Sequence, residues 1–247
     1  MFFYREAQNI PSIVQDGLVL NLDAGNISSY PGTGTTWTDL STNGNNGTLI
    51  NGVGYSSNNS GVLTFDGTDD YVSVANNSLL NPGTGSFTFG CFVKVKSDVS
   101  SGYTNIIFTK NQTDFTNGYR IDPNVPYDGK YSIIMSEGSI TGVNRAITES
   151  TITASLNTWN NIVGVWDAPN KKLHLYFNGI YDGFSSTTNS LTVNPTNNLE
   201  IARYNRLTLS RYEFSNIDVS QVLLYNRALT ENEVQQNFNA LRGRYNI

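Results

Sequence analysis

Three aspartates near residue 70 form the densest acidic group of the sequence. Asp66, Asp69 and Asp70 lie within five residues of one another. Ca²⁺ is a hard cation that takes about six to eight oxygen ligands from carboxylates and backbone carbonyls, so calcium is the one cofactor that the sequence supports, at this cluster. The favoured alternative is a metal-free turn, because short acidic side chains also accept hydrogen bonds from nearby backbone amides.

Cysteine and histidine, which could also form reactive sites, each occur once, as Cys91 and His174. Thiolate zinc centres and Cys/His clusters need several such side chains, so the composition excludes them. Cys91 lies in an alternating apolar run and is predicted to be buried. His174 is predicted to be an ordinary strand residue, with contact to a ligand as the alternative. No motif of a catalytic triad, a zinc protease or a nucleotide-binding loop accompanies them.

Aromatic residues in loops or at strand ends are candidates for carbohydrate binding. A sugar site typically combines an exposed aromatic ring with a few polar side chains. For Trp37 the favoured alternative is that the indole anchors a long Gly/Asn-rich loop to the core. The candidate carbohydrate-binding residues are Tyr30, Trp37, Tyr55, Tyr103, Tyr119 and Tyr127.

The overall composition excludes several classes of partner. The chain has 247 residues, of which 38% are hydrophobic and 14% charged, which is typical of a folded protein with a large core. Its 15 Lys and Arg against 20 Asp and Glu give a net charge of −5 without any basic cluster. We therefore expect no nucleic-acid partner. No run of about 18 apolar residues and no signal-peptide pattern occurs, so neither a membrane span nor a secretion signal is expected.

Short apolar runs separated by Gly, Asn, Ser and Thr predict an all-β protein. In GLVLNLDAG, the alternation of Leu18, Leu20 and Leu22 with other residues predicts a half-buried strand. GVLTFDGTDDYVSV predicts a hairpin closed by a turn at 66–70, and the Asn-Gly pair at 178–179 predicts the turn of another. IDVSQVLLY is apolar on both faces, which is typical of a central strand.

One helix and a two-part organisation complete the predicted architecture. Thr230 followed by Glu233 is a capping box, and apolar residues at helical spacing come after it, so one short C-terminal helix is expected. Residues 1–16 show neither strand alternation nor a clear helical face. They are predicted to be an N-terminal arm that packs on a partner, and residues 17–247 are predicted to be a single domain.

Several strings of the sequence resemble a known family. GLVLNLDAGN, GVLTFDGTDDYVSV, WNNIVGVWDAPNKKLHLYFNG and YNRALTENEVQQNFNALRGRY are similar to the laminin-G-like branch of the concanavalin A-like lectin/glucanase superfamily, from about Gly17 to Ile247. The pairing of YPGTGTTWTDLSTNGNNGTL with the C-terminal string resembles modules of structural proteins of tailed bacteriophages. The resemblance implies a jelly-roll sandwich of two antiparallel sheets, and it implies a fold more firmly than a function.

Enzymes of this superfamily place paired carboxylates at alternate strand positions, in the pattern E-x-D-x-E or E-x-D-x-x-E, on both sides of the bond that is cleaved. None of the seven glutamates here begins such a pattern. Glu231 and Glu233 are the only closely spaced pair, and the start of the predicted helix explains them. We therefore expect no enzymatic activity.

The resemblance and the absence of catalytic motifs together predict a non-enzymatic structural protein of a bacteriophage virion, as a capsid decoration or tail-associated protein. Its expected partners are other virion proteins and glycans, and a homo-oligomer is compatible with this role. The alternative is a carbohydrate-binding lectin module that recognises a host or environmental polysaccharide, with or without calcium.

Overall fold

The structure is a computed structural model that describes residues 11–96, 107–113, 116–123, 128–138, 144–153, 155–206 and 211–247. Within these ranges the chain forms, in order, β1 Leu18–Asp23, β2 Thr36–Trp37, β3 Gly47–Ile50, β4 Gly54–Ser56, β5 Val62–Thr64, β6 Tyr71–Val74, β7 Phe87–Val95, β8 Phe108–Thr113, β9 Thr116–Pro123, β10 Tyr131–Glu137, β11 Asn144–Glu149, β12 Trp159–Asp167, β13 Lys172–Phe177, β14 Ile180–Ser186, β15 Leu199–Ile201, β16 Arg203–Arg206, β17 Arg211–Phe214, β18 Ile217–Tyr225 and the helix α1 Glu231–Leu241.

The strands form two antiparallel sheets that pack face to face, which confirms the predicted all-β jelly-roll sandwich. Sheet A has the order β14-β13-β12-β7-β18-β5-β4, and β1 also pairs with β18. Sheet B has the order β11-β10-β9-β8-β15-β6-β3-β2. The hairpin of β16 and β17 forms a separate two-stranded ladder.

Alternating side chains from the inner faces of both sheets form the main core. Its centre is aromatic, with Phe89 5.4 Å from Tyr119 and 6.0 Å from Phe108 between ring centroids. Cys91 is buried in the same core, as predicted, and burial raises the pKa of its thiol far above the ordinary value. The thiol is therefore protonated and acts as a small apolar side chain.

The outer face of sheet A is also apolar, and α1 and the C-terminal residues cover it. Leu223 and Val234 belong to one buried cluster on this face, while Phe92 stacks on Phe238 and Tyr245 in a second. The central strand β18 is consequently buried along its whole length. This confirms the prediction that it is a central strand with two apolar faces.

The predicted capping box begins α1. The Thr230 hydroxyl accepts a hydrogen bond from the Glu233 amide, and the Glu233 carboxylate accepts one from the Thr230 amide. Arg227 pairs with the same carboxylate and lowers the pKa of Glu233 to about 2. The capping box therefore fixes the point where the chain turns from β18 into the covering helix.

Strand β1 is buried on both faces, which corrects the prediction of a half-buried strand. All six of its residues are buried. A register irregularity between Leu18 and Leu20 turns Leu18 toward the outer apolar cluster, while Leu20 lies in the main core. At the other end, the Asp23 carboxylate pairs with Arg244 of the C-terminal segment, whose residues cover this part of the strand.

The GVLTFDGTDDYVSV segment is not a hairpin, although both of its strands form as predicted. Strand β5 pairs with β4 and β18 in sheet A, whereas β6 pairs with β3 and β15 in sheet B. The turn at 66–70 therefore carries the chain from one sheet to the other. A hairpin and a crossing between the sheets give the same alternation of apolar residues, because Leu63 and Val72 face the shared core from opposite sheets.

Residues 11–16 pack on the chain's own sandwich, although the sequence placed them in a separate arm. The Val14 amide donates to Asn237 Oδ1 at 2.8 Å, and the Tyr225 hydroxyl donates to the Val14 carbonyl at 3.0 Å. Val14 is buried beside α1. Residues 1–10 of the predicted arm lie outside the described residues.

The substitution Thr230→Ala should lower the free energy of unfolding by about 1 kcal/mol, because the Glu233 amide loses its capping acceptor. Urea denaturation measures this change. Gln235→Ala, at an exposed position of the same helix, is the control and should change stability by less than about 0.5 kcal/mol. Equal effects of the two substitutions would contradict the capping role.

Candidate functional site

The β13–β14 edge of sheet A carries a row of aromatic side chains that neither α1 nor the C-terminal residues bury. Tyr181 is 41% exposed and Phe184 is 48% exposed, and both lie on the last strand of the sheet. His174, which is half-buried, lies between them on the neighbouring strand. We call these three side chains, with Tyr176 beneath them, the aromatic platform.

A β-bulge places the platform rings on one face of the sheet. His174 pairs with Phe184 and Tyr176 pairs with Tyr181, so that Asp182 is an extra residue in β14. In a regular strand, residues 181 and 184 would point to opposite faces. The extra residue brings both rings to the outer face, because Leu173 and Leu175 of β13 occupy the inner one.

The rings of the platform contact one another. His174 lies 5.9 Å from Tyr181 and 5.7 Å from Phe184 between ring centroids. Tyr176, which is buried, meets Tyr181 edge to face at 5.6 Å. This packing holds the exposed rings in place before any ligand arrives, so that little side-chain freedom is lost on binding.

Polar groups without a partner surround the rings. Within the described part of the chain, the Tyr181 hydroxyl, both His174 nitrogens and the Lys172 ammonium make no hydrogen bond. The Lys172 ammonium lies 4.4 Å from the centroid of the Phe184 ring. Burial lowers the pKa of His174, with Lys172 adding to the effect and Asp167 opposing it. The imidazole is therefore neutral at pH 7 and offers one donor and one acceptor.

The bulge is anchored from the opposite side of the strand. The Asp182 carboxylate accepts hydrogen bonds from the amide and the hydroxyl of Thr151. Next to it, the Thr148 hydroxyl of sheet B donates to the Leu173 carbonyl and accepts from the Ser185 amide. These hydrogen bonds join the edges of the two sheets and hold the strand that carries the platform.

Four of the six sequence-predicted aromatic residues lie in the described ranges, and the structure places these four away from the aromatic platform. Trp37 and Tyr119 are fully buried and Tyr30 nearly so. The Tyr119 hydroxyl donates to the Leu80 carbonyl inside the core. Burial therefore removes these three residues from the set of available ring faces, and Trp37 acts as the loop anchor proposed as its alternative.

Tyr55 is the one sequence-predicted carbohydrate-binding residue that is exposed in the described structure. Its ring lies 5.4 Å from that of Tyr30 and is 37% exposed. Among the described residues, no second exposed ring contacts this pair. Tyr103 and Tyr127 lie outside the described residues.

The predicted calcium ligands close a turn by hydrogen bonding. The Asp70 carboxylate accepts from the Asp66 amide, and the Asp66 carboxylate accepts from the Thr68 amide at 2.7 Å. The Asp69 side chain is exposed, and its carbonyl accepts from Asn51. Within the described ranges, no group of three or more acidic, His or Cys side chains is arranged to hold a metal ion. The geometry is that of the metal-free alternative.

The sequence contains a signal for the platform, but the regular alternation of a strand does not reveal it. Tyr181 and Phe184 are three residues apart, with Asp-Gly between them, directly after the predicted Asn-Gly hairpin turn. A glycine inside a strand marks a possible bulge. Gly183 indeed has φ +131°, a conformation that L-residues rarely adopt. Reading the glycine as a bulge would have placed both rings on one face.

The sequence matches one family model. The model described as the concanavalin A-like lectin/glucanases superfamily matches residues 66–235. No curated protein matches the sequence significantly. The described part of the chain contains no helix that is long and apolar enough to cross a membrane.

Solved structures of binding domains share this fold. The binding domain of Paraclostridial Mosquitocidal Protein 1 is 19% identical with a TM-score of 0.69, covering 92% of this chain and 52% of that one. The binding domain of botulinum neurotoxin serotype D is 12% identical with a TM-score of 0.66, covering 91% and 52%. This chain therefore spans about half of each toxin domain.

A third structure matches over nearly its whole length. Domain 4 of AbnA, a GH43 extracellular arabinanase from Geobacillus stearothermophilus, was solved in complex with arabinotriose. It is 15% identical with a TM-score of 0.60, and the match covers 89% of this chain and 97% of that domain.

The substitution Asp70→Asn should remove a pH dependence of stability. Burial raises the pKa of Asp70 to about 6 from 3.8, so the folded state binds a proton more tightly than the unfolded state. The contribution of this group to stability is then fully present below about pH 4 and decreases as the pH rises to about 6. At pH 7 we expect the variant to be more stable by roughly 1 to 2 kcal/mol, measured by urea denaturation.

Asp69→Asn, at an exposed position, is the control and should leave the pH profile unchanged. The thermal midpoint of the wild type should not respond to EDTA. A midpoint that falls with EDTA in the wild type but not in Asp70→Asn would instead establish a metal at this turn.

Proposed function

Because this chain belongs to the concanavalin A-like lectin/glucanases superfamily, we propose that it is a carbohydrate-binding module whose ligand stacks on the aromatic platform. The observation that carries the proposal is the bulge that aims Tyr181 and Phe184 at one face around a neutral imidazole. Sugar rings present apolar C–H faces together with hydroxyl groups. A ligand site of this kind combines apolar ring surface with a few well-placed polar groups.

The chemistry of the platform favours an uncharged glycan. The ring faces of Tyr181 and Phe184 supply apolar contact area, and the Tyr181 hydroxyl and the His174 nitrogens can exchange hydrogen bonds with sugar hydroxyls. The Lys172 ammonium is a further donor beside the Phe184 ring. Binding without catalysis is part of the proposal: the Asp182 carboxylate is engaged by Thr151, and the Asp167 carboxylate by Asn170.

The similar structures support a binding role. Domain 4 of the arabinanase is described in complex with arabinotriose, and binding domains of botulinum neurotoxin DC are described in complex with SialylT and with rat synaptotagmin II. These ligands belong to those proteins. For this chain they make arabino-oligosaccharides a reasonable first probe, next to other neutral sugars.

The predicted role in a bacteriophage virion, together with virion partners and location, stays a proposal supported by the sequence resemblance alone. A glycan-binding module is compatible with it, since a particle surface is one place where such a module acts. The polar, weakly charged composition suits either role.

Tyr181→Ala and Phe184→Ala should each weaken glycan binding about tenfold, because each removes one stacking ring. Isothermal titration calorimetry with arabino-, xylo-, cello-, manno- and galacto-oligosaccharides measures the affinity. Tyr55→Ala removes a ring of similar exposure elsewhere and should leave binding unchanged. Loss of binding in Tyr55→Ala but in neither platform variant would contradict the proposed site.

Gly183→Ala should weaken binding although it removes no ring. At φ +131° a side chain strains the backbone, and relief of that strain shifts the bulge that aims Phe184. Gly44→Ala is the matched control, because Gly44 also has positive φ and open space around it. Both variants should lose roughly 1 kcal/mol of stability, but only Gly183→Ala should lose affinity. Unchanged affinity would show that the bulge does not position the rings.

A further inference from the structure

A second aromatic cluster lies on the outer face of sheet B. In β15, Leu199 and Ile201 are buried in the main core, so Glu200 between them points outward. The chain continues from β15 into the β16–β17 hairpin, which begins with Arg203 and contains Tyr212. In β6, Ser73 pairs directly with Glu200, and Tyr71, two residues before Ser73, lies on the same outer face. We call Tyr71, Glu200, Arg203, Tyr212 and Phe214 the Arg203 cluster.

The guanidinium of Arg203 is held on three sides. Its Cζ lies 3.5 Å from the centroid of the Tyr71 ring and 4.6 Å from that of Tyr212. Its Nε donates to Glu200 Oε2 at 2.9 Å, and its Nη2 donates to Glu200 Oε1. Such a planar two-point pair between flanking rings fixes the orientation of both charged groups.

The cluster leaves polar groups available to a ligand. Within the described residues, Arg203 Nη1 and the hydroxyls of Tyr71 and Tyr212 make no hydrogen bond. The Tyr212 ring is 52% exposed and lies 6.4 Å from Phe214, which in turn lies 6.3 Å from Tyr71. An exposed ring next to oriented donors is again the combination that binds a sugar.

Charge determines which class of ligand fits. Glu200 neutralises Arg203, and the hydrogen bonds and charge of Glu200 raise the pKa of Arg203 against the opposing effect of burial. An anionic ligand would be repelled by the fixed Glu200 carboxylate, and a cationic one by the guanidinium. A neutral, hydroxyl-rich ring is the class that both groups accept, since Nη1 donates to a hydroxyl and Tyr212 stacks on a C–H face.

We infer that the Arg203 cluster is a second carbohydrate-binding site, on the outer face opposite the aromatic platform. One chain would then hold two glycan strands on opposite sides and cross-link them. The site itself stands on its own contacts, whereas the cross-linking rests on the proposed function of the platform. Two sites on one rigid sandwich raise the apparent affinity for a polymer without any new contact.

The test counts sites and then removes them one at a time. Isothermal titration calorimetry of the full chain with the oligosaccharides named above should give two equivalents of sugar for each protein. Tyr212→Ala should leave one equivalent, and the double variant Tyr181→Ala/Phe184→Ala should also leave one. Combining all three substitutions should remove binding. Tyr55→Ala again serves as the control for loss of an exposed tyrosine.

Cross-linking provides the second readout. The wild type should aggregate a soluble linear polysaccharide of the sugar that binds, measured by light scattering, and each single-site variant should bind the polymer without aggregating it. Tyr212→Phe keeps the ring and should retain most of the affinity. This variant shows whether the loss of affinity in Tyr212→Ala results from the loss of ring stacking.

The outcomes separate the two proposals. One equivalent in the wild type, unchanged in Tyr212→Ala, overturns the second site and leaves the platform intact. One equivalent that is lost in Tyr212→Ala but kept in the platform variants overturns the platform and the cross-linking, while the Arg203 cluster stands. No binding to any oligosaccharide of the panel overturns both.

Discussion

Sheet A must be covered on two faces, and this requirement shapes the rest of the molecule. Strand β18 is apolar on both sides, so its inner face packs on sheet B and its outer face needs a second cover. Helix α1 and the C-terminal residues supply it. The Tyr245 hydroxyl bonds to Ser220 in β18, and Arg244 pairs with Asp23 in β1. The cover does not bury the rings at the β13–β14 edge, so exposed aromatic area on sheet A remains there.

At that edge, local backbone geometry determines what the surface presents. A regular strand would place one ring in the core and one in solvent. The bulge at Asp182 turns both rings outward, and hydrogen bonds with Thr151 and Thr148 connect the bulged strand to sheet B. On the other sheet, strand alternation places Tyr71 and Glu200 on the outer face, and Arg203 contacts both the Glu200 carboxylate and the Tyr71 ring. Both surfaces combine fixed rings with unused polar groups.

The sequence predicted the sandwich, the central strand and the capped helix because these depend on local periodicity and capping chemistry. It did not predict that the turn at 66–70 joins two sheets, since hydrogen bonds such as that from the Asp66 amide to Asp70 close the turn in either arrangement. The sequence favoured burial of Trp37 as a loop anchor, but it did not predict burial of Tyr30 and Tyr119. Their ring neighbours in the fold, Tyr55 and Phe89, are distant from them in the chain. The platform was not identified from the sequence, because a regular strand places residues three apart on opposite faces.

The most direct test of the account uses the single histidine of the chain. His174 gives one set of imidazole signals in ¹H–¹³C NMR spectra, so these signals need no further assignment. We predict that they shift in a saturable manner as a binding oligosaccharide is added, with the same dissociation constant that calorimetry gives for the platform site. Imidazole signals that stay unchanged while calorimetry shows the protein saturated with sugar would contradict the platform as the site of binding.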